Sequence, residues 1–398
     1  MTATSRTARP DTTSATSWHQ AAVYRELGVR PVIHAGGTTT MFGGSRPPAF
    51  VWNAMAEASA NFVHIPELNR AVGKYIATVT GAEAGMVTAG AASGIVLAVA
   101  AAMTGAAPAK VRQLPDATGL RSRVVIQKAH RGRFTYLARY TGAEFTEVGN
   151  INECYDFEVE SALDQHAAAV LYLLGPGQRQ VGPTLAETAQ IARRAGVPLI
   201  VDAAGMLPPK RNLTRFIAEG ADLVIFGGGK FLRGPQNSGL LFGRGDLVEA
   251  ALAHSGPNYG IGRPHKMSRE TIVGVYEALK AYVASDEDEM LAACRGRADL
   301  IQAGIGEIPG VEVAVRHDDF EFFVPTVVVS LTAAWTGPEV GEIARRLLAG
   351  EPGVFLYHDR QFRRLTANPT SLQEGEAEIV GRRLRAELIG ARHGIGPQ

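Results

Sequence analysis

The chain has 398 residues, 46% hydrophobic and 20% charged, and its 40 basic against 39 acidic side chains leave a formal net charge of +1. Such a composition supports a large core in two or three domains and excludes collagen-like and wholly disordered chains. The balanced charge gives no basic footprint for DNA or RNA, so no nucleic-acid partner is expected. The two cysteines, Cys154 and Cys294, match no metal spacing and frame no disulfide network, which points to no metal centre and a reduced, cytoplasmic setting.

Residues 1–17 are crowded with Ser and Thr and carry no apolar run, so they read as a frayed tail rather than a secretory signal. The tail is assigned to 1–25, with order beginning near Trp18–Leu27. The stretch from Ala84 to Ala109 is uncharged and long enough to raise a membrane span. Its Ala, Gly, Ser and Thr content fits a fully buried helix entered through a small-residue turn better, and no membrane partner is expected.

Beyond residue 80, strand and helix signals alternate. VVIQ (124–127), AVLYLL (169–174), PLIVDAAG (198–205), ADLVIFGGGK (221–230) and SGLLFG (238–243) read as strands, with helices over 184–195 and 213–219. Apolar runs of this length separated by helices indicate an α/β protein with a parallel sheet covered on both faces. The Gly-Ile-Gly-Arg-Pro stretch (260–264) reads as a break. A large domain over 26–265 would precede a segment over 266–398, made of a linking helix from about Ser268 to Asp286 and a smaller α+β domain. An amphipathic helix near 374–390 would end it.

The most informative segment is ADLVIFGGGKFLRGPQNSGLLFG (221–243), where an apolar strand ends in three glycines and a lysine. A nucleotide-binding P-loop would need a hydroxyl after that lysine, and Phe231 stands there instead. No G-x-G-x-x-G fingerprint follows a strand elsewhere. A lysine at a glycine-rich strand end suits imine formation with an aldehyde cofactor. It is also one of only seven lysines in the chain.

That chemistry needs a carboxylate for a pyridine nitrogen and a phosphate cradle at a helix N-terminus. Asp202, ending PLIVD 28 residues before Lys230, can be the first. Thr88–Gly94, ahead of the uncharged helix, offers N–H groups and a hydroxyl for the second. Singly, a strand-end aspartate or a Gly/Ala turn is usually structural. The ordered trio is far more specific.

These segments resemble the pyridoxal-phosphate enzymes of aspartate-aminotransferase fold, in the group around L-seryl-tRNA(Sec) selenium transferase and D-glucosaminate-6-phosphate ammonia-lyase. The likeness is carried by VIHAGGTTTMFGGS (32–45), ELNRAVGKYIATVTGAEAGMVTAGAASG (67–94), QKAHRGRFTY (127–136), VDAAG (201–205), FGGGKFLRGPQNSG (226–239), GIGRPHKMSRETIVG (260–274) and NPTSLQEGEAEIV (368–380). It implies a fold-type I large domain with a mainly parallel seven-stranded sheet and a smaller C-terminal α+β domain.

The resemblance further implies pyridoxal 5'-phosphate as cofactor, with Lys230 binding its aldehyde and Asp202 pairing with the ring nitrogen. Ala91, Ala92 and Ser93 would bind phosphate, and His130 would stack on the ring. Arg263 and Lys266 would be phosphate-side contacts, reaching across a homodimer or higher homo-oligomer. A strand-end histidine satisfied by backbone and a solvated basic turn are the plain alternatives for His130 and for the Arg263–Lys266 pair.

Two positions depart from the family pattern. Gly227 stands where a serine is common, which would shift the phosphate grip toward Arg263 and Lys266. His34 stands where an asparagine is common, placing an ionisable group near the substrate face or simply a satisfied histidine at a strand edge.

The leading functional expectation is a β-eliminating lyase acting at the α-carbon of an amino acid, a small-molecule substrate, and giving a 2-oxo acid, with Lys230 as both base and acid. A racemase or epimerase is the alternative and needs a second base, His34 or His130. A selenium transferase, an aminotransferase and a non-enzymatic cofactor-binding protein rank lower. Arg364 is taken as a substrate-carboxylate binder from among 33 arginines.

Overall fold

The computed structural model describes residues 21–392. The tail assignment falls mostly on residues 1–20, outside the described part. Its last residues correct it: an exposed helix already runs from Ala22 to Glu26.

The chain divides into two compact units, one of Thr38–Ala292 with His317–Val324, the other of residues up to Gly37 with Ala293–Arg316 and Pro325 onward. Strand β1 (Val32–His34) lies in the second unit. The first unit is built on β2 (Ala84–Thr88), β3 (Arg123–Gln127), β4 (Glu144–Val148), β5 (Ala167–Leu173), β6 (Leu199–Asp202), β7 (Leu223–Gly227) and β8 (Gly239–Gly243). They form one seven-stranded sheet in the order β2-β8-β7-β6-β5-β3-β4. Every pairing from β7 to β4 is parallel; β8 runs antiparallel to both β7 and β2. Six strands therefore end at one edge, where ligands gather in open α/β sheets.

The sequence reading placed a small-residue turn and a buried helix within 84–109 but no strand before them. The first five residues of that stretch are β2, and the helix runs over Ala91–Thr104. β2 is an outermost strand, and buried Asn69 closes its free side, with Nδ2 donating to the Val87 carbonyl (3.1 Å) and Oδ1 accepting from the Val87 N–H (2.8 Å). The helix itself is buried on nearly every side, from Ser93 to Ala101. It is wedged between the sheet, the Gly245–His254 helix and the Thr135–Thr141 turn, which explains the small side chains.

The Arg269–Ala284 helix, capped by Ser268 Oγ on the Thr271 N–H (3.2 Å), belongs to the large unit. Its Ile272, Val275, Leu279 and Tyr282 join Phe226, Leu232 and Phe242 in one core cluster. The compact boundary therefore falls after Ala292 rather than at 265.

The second unit pairs β1 in parallel with β11 (Gly353–Phe355). It also holds an antiparallel sheet of β9 (Val311–Arg316), β10 (Thr326–Leu331), β12 (Tyr357–Asp359) and β13 (Arg364–Ala367), in the order β12-β13-β10-β9. The helices Val340–Ala349 and Glu376–Arg392 share its core of Ile33, Val327, Val329, Leu347, Leu365 and Leu384. No helix among the described residues is long and apolar enough to cross a membrane.

Candidate active site

Asp202 is the last residue of β6, and its Cα lies in register with Ile225 of β7. Lys230 follows two glycines past the end of β7. Asp202 is 4% exposed, and its Oδ1 accepts from the Ala204 N–H at 3.1 Å. Burial pushes its carboxyl above the usual range, against the pull of that hydrogen bond and the Lys230 charge. Burial also holds the Lys230 amine below its ordinary value, partly offset by Asp202. A lowered amine pKa favours the neutral form that acts as base and nucleophile.

The glycines before Lys230 serve close packing. A Cβ at Gly228 would lie 2.3 Å from Ser238 Oγ, and one at Gly229 2.5 Å from the Gln236 Cα. The loop beyond is laced shut: the Gly228 N–H donates to the Ser238 carbonyl (2.8 Å) and the Gly234 N–H to the Gly228 carbonyl (2.9 Å). Ser45 donates to the Gly229 carbonyl from both N–H and Oγ, each at 2.9 Å. Gly227 has its own reason. A Cβ there would sit 3.3 Å from the Lys230 side chain and 3.1 Å from the Ala204 carbonyl, so the position made small leaves room for the lysine stem.

On the same edge, Gly90 caps the Ala91–Thr104 helix with a left-handed φ of 88°, which favours glycine. The N–H groups of Ala91, Ala92 and Ser93 fall in the first turn, where no helical carbonyl can accept them. With the positive end of the helix dipole, they could hold an anion. Ser93 Oγ pairs with His265 Nδ1 at 3.1 Å, a contact that sequence reasoning missed. Its only sequence signal is the histidine of the Gly-Arg-Pro-His-Lys run, between Arg263 and Lys266. Arg263 is half-buried and faces the Tyr259 ring at 6.0 Å, while Lys266 is exposed.

His130 closes the short turn after β3 and is fully buried. Its Nε2 lies 2.8 Å from Gln180 Oε1, and its ring meets Tyr172 edge-on at 4.4 Å. Burial lowers its pKa to about 4. The structure thus gathers Lys230, Asp202, His130 and the Ala91–Ser93 turn at one sheet edge.

His34 and Arg364 belong to the second unit. His34 Nδ1 accepts from the Gly36 N–H at 3.3 Å and its ring packs on Phe355. Arg364 lies 4.0 Å from Asp359 and over the Phe362 ring. Among the described residues no cluster suits a metal ion.

A family model described as L-seryl-tRNA selenium transferase matches residues 66–294, more than half of the chain. The chain belongs to this family. It is 34% identical over 385 residues to a 5'-C-glycyluridine monooxygenase-decarboxylase from a Streptomyces species, covering 94% of this chain and 93% of that one. It is 31% identical over 372 residues to the D-glucosaminate-6-phosphate ammonia lyase of Salmonella typhimurium, covering 91% and 97%. A solved structure of D-glucosaminate-6-phosphate ammonia-lyase superposes with a TM-score of 0.81 at 30% identity, covering 94% of this chain and all of that one. The protein is an enzyme of fold-type I, and its cofactor is pyridoxal 5'-phosphate. The residues fit that group: a buried carboxylate for a ring nitrogen, an amine beside it, and an anion-binding helix start.

Proposed function

We propose that this protein is a pyridoxal-phosphate-dependent lyase that eliminates a β-hydroxyl from an amino acid, giving a 2-oxo acid and ammonia. When bound, the cofactor supplies an electron sink for the pair left at the α-carbon. Lys230 removes the α-proton from one face and delivers a proton to the departing hydroxyl, which leaves as water. The enamine that remains takes up water and releases ammonia. Asp202 would keep the ring nitrogen protonated, the Ala91–Ser93 turn with Arg263 and Lys266 would hold the phosphate, and His130 would lie against the ring. The observation that carries this reading is the buried amine–carboxylate pair, Asp202 at the end of β6 and Lys230 just past the end of the adjacent β7. Elimination needs no further acid or base.

Racemisation needs a second acid–base group. His130 suits that role poorly, because its Nε2 is engaged by Gln180 and its pKa is near 4. A small-molecule substrate is supported by near full-length similarity to the ammonia lyase, whereas a selenium transferase from Solidesulfovibrio magneticus is matched over only 57% of its length. A second reading, loss of carboxylate instead of the α-proton, draws on the 34% identity to the monooxygenase-decarboxylase. A homodimer with segment 260–274 or 32–45 completing the neighbour's site, and a cytoplasmic location, complete the proposal.

The test is proton NMR in deuterated water across a panel of amino acids and sugar amino acids, with assays for keto acid, ammonia and carbon dioxide. Keto acid and ammonia support the proposal. Both enantiomers without keto acid would replace it with a racemase, carbon dioxide with a decarboxylase, and keto acid with an aminated cofactor with an aminotransferase.

A further inference from the structure

We propose that Gln180 is a positioning residue that holds His130 as the neutral Nε2–H tautomer, presenting Nδ1 as a hydrogen-bond acceptor to the bound ligand. The inference rests on the proposed placement of His130 at the cofactor and extends it to a residue with no assigned role.

Gln180 Oε1 receives two neighbours, His130 Nε2 at 2.8 Å and the Tyr172 hydroxyl at 2.9 Å. The orientation of the amide follows from its other end. Gln180 Nε2 faces the carbonyls of Leu173 and Gln178, each at 3.5 Å, and a flipped amide would set its oxygen against both. Oε1 can only accept, so His130 Nε2 must carry the proton. The Tyr172 hydroxyl, with one proton to give, lies between Oε1 and the Pro183 carbonyl (3.1 Å) and cannot take this place.

His130 Nδ1 is then a lone pair. It is buried and has no hydrogen-bond partner in the structure. A buried acceptor without a donor has lost its hydration and gained nothing in return. A ligand N–H or O–H would supply the missing bond. No charge balances a cation here: Tyr172 and Gln180 face the ring, and Arg131 turns away to Glu147 (3.0 Å) and the Phe145 ring. A neutral ring stacked on a pyridinium does not oppose its charge, which leaves Asp202 in control of ring protonation. The loop carrying Gln180 is braced for this task, with Gln178 Nε2 donating to the Ala129 carbonyl at 2.6 Å and the Gly177 N–H to the Phe320 carbonyl at 2.8 Å.

The test is nitrogen-15 NMR of histidine-labelled protein before and after cofactor loading, with His130 assigned by loss of its signals in His130→Asn. The expected result is a protonated Nε2 and an unprotonated Nδ1 from pH 8 down to 5, with the Nδ1 resonance moving on loading. Gln180→Glu should make both nitrogens protonated at neutral pH. Gln180→Met should admit the Nδ1–H tautomer, and Tyr172→Phe should leave Nε2–H in place. A wild-type His130 protonated on Nδ1, or one titrating near its ordinary pH, would overturn the inference, as would Gln180 variants with unchanged tautomer. Failure of the cofactor reading is seen separately, as loaded protein in which borohydride fixes no label on Lys230.

Discussion

Two parts of the sheet edge are held in place by different means. The Lys230 loop is fixed by backbone: strand register carries Asp202 beside β7, and carbonyl–amide bonds close 228–238. The His130 turn is fixed by side chains, those of Gln178, Gln180 and Tyr172, reaching from other elements. In the proposed mechanism, backbone fixation positions the groups that react, and side-chain fixation sets the protonation state of the group beside them. Substitution should therefore abolish chemistry at the first region and tune it at the second.

The largest effect should come from Lys230→Ala. Removing the only proposed acid–base group costs roughly 10²–10⁴ in rate, and the loss of cofactor attachment adds to it. Turnover assays in the presence of added cofactor check this. Wild-type-like turnover would move the chemistry to another residue. Asp202→Asn keeps the shape but removes the anion from a buried site, where breaking a pair costs about 3–5 kcal/mol. The α-proton exchange rate should drop by two orders of magnitude or more while cofactor stays bound.

Acid should expose the second region. His130 and His254 are both fully buried, and burial lowers each pKa to about 4. A depressed histidine pKa means that the unfolded chain binds more protons between pH 6.5 and 4. Stability is thus full above pH 6.5 and falls as the pH drops. Each residue should contribute about 2 kcal/mol of loss between pH 7 and 5. Urea unfolding at the two pH values measures the sum, and His254→Gln should shrink the difference. The smallest effect is assigned to His265→Gln, which weakens the contact to Ser93 in the phosphate cradle. Cofactor affinity should fall about fivefold, on the scale of one hydrogen bond, as read by equilibrium dialysis.

The same contrast explains what could be read from residues alone. The β6 and β7 runs, Asp202 and Lys230 were legible because period, burial and strand ends are local properties of a sequence. The helix read over 184–195 was equally plain; it runs over Leu185–Ala195, with Thr184 and Glu187 forming a capping box at its start. The strand inside 84–109 was not, because Ala-Gly-Met-Val-Thr becomes β2 only by pairing with β8, more than 150 residues away in sequence. Gln180 and His265 were also missed. Their importance lies in contacts with residues 50 and 172 positions distant, which no spacing rule predicts.

The central claim is that Lys230, among seven lysines, takes the cofactor. Borohydride reduction of the loaded protein followed by peptide mapping tests it most directly. The pyridoxyl label should be recovered on the peptide carrying Lys230 and be absent from Lys230→Ala. Label on Lys128 or Lys266 would contradict the account.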